Sequence, residues 1–350
     1  MEPVTLSLLD PVAMPEDADA GAAIAVALAR TRLAEELGYR RVWFGEHHNN
    51  PFGAGPVPEL MALYAADRTT RITVGTGAYL LGNSTPLRAA EAMSVLCWMH
   101  PGRTEMSFGR APGTDGVTAH ALRGGADNDF SRQLAELLAF TGHQGHEWPA
   151  DHPYATVRPE PLPPTPVPMW LAGSSGDTAA LAGELGLGYA FGHHITPDPD
   201  RAARAIRSYR ETFKPSEAFP VPRAILTVLT VIGEDDATAE RLSTGYQLGY
   251  TRLTQGLNSP FLSPETAAAH PWTDAERAVA RQARAGMVVG GPETVVNRMR
   301  ALLEATRPDE LMVLLTAHSP EAQLWSLREL ADSLRAAGLV TPVDAVAATR

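Results

Sequence analysis

Short apolar segments alternate with helical ones along almost the whole chain, and this limits the fold more than any other feature. The segments 5–10, 40–46, 71–81, 103–110, 169–173, 189–192, 223–233 and 310–316 read as buried strands. Between and after them, 20–37, 58–69, 87–99, 128–141, 177–185, 200–213, 293–304 and 320–336 repeat apolar residues at helical spacing. Gly38 stops the first helix, and the turn His100-Pro101-Gly102 follows the third. Apolar strands separated by amphipathic helices imply a parallel sheet covered on its outer face. Eight such units close into an α/β (β/α)8 barrel, the TIM barrel. The rival is an open doubly wound sheet in two domains. No linker divides this chain, and no G-x-G-x-x-G follows the first strand. The expectation is one barrel domain over 1–350, with an insertion between strand 7 and strand 8. That insertion, 236–285, reads as a helical excursion with an irregular middle at Asn258-Ser259-Pro260. Loops 110–128, 148–168 and 236–285 are expected to shape the pocket, and 148–168 is rich in proline.

Single residues then remove whole chemistries. Lys214 is the sole lysine and sits beside Pro215 in a polar stretch. Schiff-base, pyridoxal and Walker-type phosphate sites each need a placed lysine. Cys97 is the sole cysteine, so an intramolecular disulfide, a cysteine zinc site and an iron–sulfur cluster are out of reach. A net charge of −11 repels phosphate backbones and anionic bilayers, so neither nucleic acid nor membrane is expected as a partner. No stretch approaches the roughly 18 apolar residues of a membrane span. A cytoplasmic protein is the expectation.

Active sites of such barrels lie at the C-terminal ends of the strands. The residues there are Asp10; Glu46, His47 and His48; Gly77 and Ala78; Gly109 and Arg110; Gly173, Ser174 and Ser175; His193 and His194; and Thr316 and His318. Histidine titrates near neutral pH, so its concentration on one rim is informative. A metal site is not expected. Ligands from one strand must stand at i and i+2 to point the same way, and His47-His48 and His193-His194 are adjacent. Gly173-Ser174-Ser175-Gly176-Asp177 ends a strand and opens a helix. Such a turn suits a phosphate, although Ser175 also reads as a helix cap. Arg110 is positioned to add a charge-assisted bond. Gly75-Thr76-Gly77-Ala78 reads as a β-bulge or as room for a flat ligand. Trp43 and Phe44 read as strand packing, Met287, Val288 and Val289 as core, and the arginines of 201–210 as a solvated helix face.

Several of these pieces together resemble the bacterial-luciferase-like flavin monooxygenases. The likeness runs through TLSLLD near the start, VWFGEHHN at 42–49, ITVGTGAYLLGNSTPLRAAEAMSVL at 72–96 and PGRTEMSFGRAPGTD at 101–115. It continues with PMWLAGSSGDTAALAGELGLGYAF at 168–191, VVGGPETVVNRM at 288–299 and DELMVLL at 309–315. The resemblance implies reduced FMN at the C-terminal mouth of the barrel, with His47 beside the flavin C4a position. It implies a non-proline cis peptide near Gly77-Ala78, and Arg110, Ser174 and Ser175 at the phosphate. Gly173 belongs to the same cradle. A homodimer through helices near strands two and three is also implied. Phe108-Gly109-Arg110 lacks the cysteine that precedes the arginine in the luciferase catalytic subunit, so light emission is not implied. The likeness is closer to the small single-subunit branch.

The expected activity is therefore a monooxygenase that works through a C4a-peroxyflavin, with a separate flavin reductase supplying reduced FMN. His47 acts at the peroxyflavin, Glu46 orients a histidine or makes a buried structural bond, and His48 supports the main catalyst. Asp10, His193 and His194 are candidates for the substrate side, with structural packing as the equal alternative. One alternative is hydride transfer with a deazaflavin in the same barrel. Another is an accessory flavin-binding protein without catalysis.

Overall fold

The computed structural model describes residues 2–123, 129–143 and 145–342. Its strands are β1 (Thr5–Asp10), β2 (Arg41–Phe44), β3 (Thr73–Leu80), β4 (Thr104–Gly109) and β5 (Met169–Gly173), followed by β6 (Gly188–Gly192), β7 (Ala224–Ile232), β8 (Val288–Gly290) and β9 (Glu310–Leu315). All their pairings are parallel. The order β1-β2-β3-β4-β5-β6-β7-β9, with β9 paired back to β1, closes a ring of eight. This is the TIM barrel expected from the alternation. Its eighth ring strand is β9, because β8 lies outside the ring and pairs only with the far end of β7, at Thr230, Val231 and Ile232. Met287, Val288 and Val289 are buried as expected. The three-residue strand that begins at Val288 is a departure, since so short a run carries no readable period.

The helices are α1 (Ala20–Glu36), α2 (Pro58–Ala66), α3 (Pro86–Met99), α4 (Gly116–Arg123), α5 (Phe130–Phe140) and α6 (Gly176–Glu184). They continue with α7 (Pro199–Thr212), α8 (Asp236–Thr254), α9 (Pro264–Ala269), α10 (Asp274–Ala285), α11 (Pro292–Thr306) and α12 (Pro320–Ala336). Local chemistry sets most of their starts. Proline opens α2, α3, α7, α9, α11 and α12, where its missing N–H costs nothing. Side chains of Asp19, Asp129, Ser175, Asp198 and Asp235 cap α1, α5, α6, α7 and α8. The expected start of the fifth helix at Asn128 lies outside the described residues. Helix α4 was not expected in loop 110–128. Among the described residues, no helix is long and apolar enough to cross a membrane.

Two apolar layers form the core. The larger lies between the ring and its helices and includes Leu8, Phe44, Phe108, Phe191 and Leu330. The smaller fills the ring itself with Leu9, Trp43, Trp170, Ile225 and Met312. A buried ion cluster plugs the interior near the N-terminal ends of the strands. Arg41 bonds both Glu105 and Glu310. Glu105 also accepts from Trp43 Nε1 at 2.6 Å and Trp170 Nε1 at 3.1 Å. Trp43 is thereby fixed inside the ring, and it and the β4 backbone leave no room for side chains at Gly77 and Gly75 of β3. A Cβ on Gly77 would meet the Cβ of Trp43 at 2.7 Å, and one on Gly75 would meet the Glu105 carbonyl oxygen at 2.3 Å.

Candidate active site

A cavity of about 610 Å³ opens at the C-terminal ends of the strands, well within the size range of small-molecule sites. Its floor is Leu9, Trp43, Ala190 and Met312, the top of the ring interior. Trp43, expected as packing only, therefore packs the ring and lines the cavity as well.

The end of β2 supplies the best-ordered polar group. Glu46 is buried and its carboxylate accepts from Leu80 N at 2.7 Å, Asn83 Nδ2 at 3.0 Å and His48 Nε2 at 2.8 Å. These bonds tie β2 to the end of β3 and turn the His48 ring toward Glu46. His47 is left facing the cavity, and its buried Nδ1 has no partner among the described residues. Burial, and then the neighbouring His48, hold the His47 imidazole below its usual pKa, which favours the neutral ring. The adjacent histidines thus diverge, as their spacing requires.

Gly77 and Ala78 line the cavity beside His47, and the peptide between them is cis. The β3–β4 register shifts between Gly77 and Tyr79. The Gly-rich segment therefore carries the expected bulge, and its small residues line the cavity.

At the ends of β4 and β5 the wall becomes a cradle. Arg110 is exposed, lines the cavity and makes no hydrogen bond among the described residues. Gly173, Ser174 and Ser175 line it too. Ser175 caps α6, and its hydroxyl contacts Thr178 Oγ1 at 2.9 Å. Thr196 Oγ1 donates to Ser174 Oγ at 2.9 Å, and Arg201 Nε donates to the Ser174 carbonyl oxygen at 2.8 Å. Arg201, on α7, also lines the cavity. This corrects the reading of 201–210 as a purely solvated face. A signal for it existed in the sequence. Arg201 stands in the first turn of α7, where the helix dipole disfavours a cation, so its charge answers to something else.

Three expected site residues lie elsewhere. Asp10 is buried but does not line the cavity. Its carboxylate accepts from Arg30 Nε at 2.8 Å and from Val12 N at 2.7 Å, and Arg30 also bonds Gln323. It is an ion pair joining β1 to α1 and α12, not a substrate-side group. His48 is turned to Glu46. His193 is buried behind the wall, and neither ring nitrogen has a partner among the described residues. Burial lowers its pKa, against the pull of Asp198. His194 does line the cavity, and burial pushes its pKa down to about 4, with His193 and His47 acting in the same direction. Among the described residues, no group of three or more His, Cys, Asp or Glu is placed to hold a metal ion.

The remaining wall comes from the insertion, through Tyr246, Gly249, Tyr250 and Leu253 on α8 and residues 257–261 after it. Asn258 Nδ2 donates to the Asn49 carbonyl oxygen at 2.9 Å, and Phe261 packs edge-on against Phe52 at 5.6 Å. Of the expected loop 110–128, only Arg110, Ala111 and Gly113 line the cavity among the described residues, and the insertion 236–285 lines it through α8 and the segment after it. The Pro-rich loop 148–168 contributes nothing to the lining. It packs on α3 instead, where Trp98 Nε1 donates to the Leu162 carbonyl oxygen.

Comparison with known proteins identifies the family and the fold. The family model of the luciferase-like monooxygenases matches residues 4–310. A luciferase-like monooxygenase of Escherichia coli (strain K12) is 35% identical over 328 residues, 92% of this chain and 95% of the relative. The crystal structure of apo-MsnO8 superposes with a TM-score of 0.84 at 31% identity, covering 97% of this chain and 99% of that one. A more distant fold neighbour is the oxygenating constituent of 3,6-diketocamphane monooxygenase from the CAM plasmid of Pseudomonas putida, in complex with FMN. Its TM-score is 0.68 at 18% identity, over 94% of this chain and 97% of that one.

Proposed function

The chain belongs to the luciferase-like monooxygenases, and we propose that it uses reduced FMN and dioxygen, through the flavin C4a adduct, to oxygenate a small organic substrate. One observation carries the reading. One cavity is lined by Arg110, Arg201 and Ser174 at one side and by the His47 imidazole, neutral-leaning and without a partner among the described residues, at another. In this reading Arg110, Arg201, Ser174 and the N-terminal end of α6 bind the phosphate. Gly77 and Ala78 leave the wall flat for the ring system. When bound, the flavin supplies the activation of oxygen. His47 holds or moves a proton at the ring through Nδ1, and Glu46 sets the His47 position through His48 and the end of β3. His194 remains neutral on the substrate side.

No nicotinamide fingerprint follows a strand, so reduced flavin is expected from a separate reductase. A homodimer fits the exposed apolar residues Leu60 on α2 and Val95 and Met99 on α3. Sedimentation of Leu60→Glu and Met99→Glu tests it, and a wild-type monomer at micromolar concentration would rule it out.

The test of activity is stopped-flow spectroscopy. The protein is mixed anaerobically with reduced FMN, then with oxygenated buffer, and absorbance is followed near about 370–380 nm. A long-lived band, shortened in His47→Ala, supports the proposal. Oxidation indistinguishable from free flavin overturns it. Preference for a deazaflavin with no oxygen uptake would replace it by hydride transfer. Flavin binding with no kinetic effect of His47→Ala would replace it by the accessory role.

A further inference from the structure

The insertion builds one side of the cavity from a single face of α8. Tyr246, Gly249, Tyr250 and Leu253 all line the cavity, and their spacing puts them on one helical stripe. Leu257 and Phe261 continue the wall beyond the helix. No side chain on this wall carries a charge. Among the described residues, the Asp, Glu, Lys and Arg side chains that line the cavity are Glu46, Arg110 and Arg201. Glu46 accepts from three donors, Arg201 is bonded to the Ser174 loop, and Arg110 directly follows β4, across the ring. The rings of Tyr246 and Tyr250 lie nearly parallel, 23° apart, with centroids 6.5 Å from each other. Neither hydroxyl is hydrogen-bonded among the described residues. Burial and the neighbouring Tyr250 push the Tyr246 hydroxyl up to about 12, so it stays a neutral donor.

Two glycines interrupt this helix, for different reasons. A Cβ on Gly245 would meet the Leu262 carbonyl oxygen at 2.0 Å, so the close approach of the following segment requires glycine there. A Cβ on Gly249 would meet nothing within 4 Å. Packing does not explain Gly249, and a glycine inside a helix is destabilising relative to alanine. What it provides is open space on the cavity face of the helix, on the same stripe as Tyr246 and Tyr250.

We propose that this face of α8 is the substrate slot, that its substrate is an uncharged, planar aromatic molecule, and that Gly249 sets how deeply the molecule enters. Flat rings pack on tyrosine faces and edges. An ion placed there would be desolvated without a counter-charge. The inference rests on the monooxygenase reading only for what happens to the bound molecule.

The test is equilibrium binding to the full chain, followed by naphthalene fluorescence. The probes are naphthol, naphthoate and naphthylmethylammonium. FMN binding is followed separately by flavin fluorescence. Gly249→Leu is the informative variant, because a Cβ there meets no atom within 4 Å, the added atoms extend from the cavity face, and leucine raises helix propensity. Naphthol is expected to saturate the wild type, with both ions weaker by roughly tenfold or more. Gly249→Leu is expected to weaken naphthol by roughly tenfold or more, the scale of excluding one ring from a slot, while FMN affinity is unchanged. Equal affinity for an ion, or unchanged naphthol affinity in Gly249→Leu, overturns the proposal. If the probe pattern holds but FMN does not bind, the slot stands and the flavin reading fails. If FMN binds without the probe pattern, the slot is overturned.

Discussion

Replacing Glu46 by glutamine keeps the shape of the side chain and removes its charge. The carboxylate accepts three N–H donors, from Leu80, Asn83 and His48, in a buried site. Glutamine offers one oxygen in place of two and adds an NH2 group. With the oxygen kept on Leu80 N, the NH2 faces Asn83 Nδ2, which is itself a donor with a second bond to the Pro112 carbonyl oxygen at 2.9 Å. His48 can adapt by changing tautomer, and Asn83 cannot without losing Pro112. Three charge-assisted bonds become at best two neutral ones. The loss is on the order of 2–4 kcal/mol. Unfolding entropy scales to about 0.7 kcal/mol/K for a chain of 350 residues. Glu46→Gln should therefore lower Tm by roughly 3–6 °C in calorimetry at a fixed scan rate. It should also lengthen the contact between the ends of β2 and β3, seen as faster amide exchange at Leu80. A Tm within about 1 °C of wild type, with Leu80 protection unchanged, would refute the argument that this carboxylate binds the two strand ends together.

Three further outcomes are expected. His194 titrates near its ordinary value of about 6.5 when unfolded and near about 4 when folded, so the unfolded chain binds more protons between those values. Stability is then complete above the window and falls by on the order of 2–3 kcal/mol on acidification to about pH 4.5. Urea unfolding across that range checks it, and His194→Gln should flatten the profile. Arg201→Gln and Arg110→Gln should each weaken FMN binding by about tenfold while leaving riboflavin, which lacks the phosphate, unchanged; equal losses for both flavins would remove these arginines from the phosphate site. Gly245→Ala should cost about 1–3 kcal/mol, because the methyl collides with the Leu262 backbone. A denaturant midpoint equal to wild type would contradict that.

The barrel was readable because its signal is local. A strand between helices needs only a few neighbouring residues to declare itself, and so do the proline starts and side-chain caps of the helices. The Glu46-His47-His48 and Gly173-Ser174-Ser175 turns were readable for the same reason, as short patterns fixed to strand ends. The three-residue β8 was not, since it has no period of its own and exists only because β7 extends past the ring. Helix α4 was likewise hidden in a segment read as loop.

What remained was decided by contacts between residues far apart in sequence. Asp10 stands at a strand end like the true lining residues, and only the arrival of Arg30 from α1 turns it into an ion pair. Arg201 looked like one of several helix arginines, and only the packing of α7 on the β5 loop brings it to the cavity. Gly245 and Gly249 are four residues apart on one helix, yet one is pinned by backbone and the other faces open space. By itself the sequence determined the ring, its handed succession of strands and helices, and which ends carry chemistry, because backbone periodicity is set by adjacent residues. The tertiary structure alone decided which of those polar groups face the cavity and which neutralise one another, because that depends on distances across the ring that no local pattern encodes.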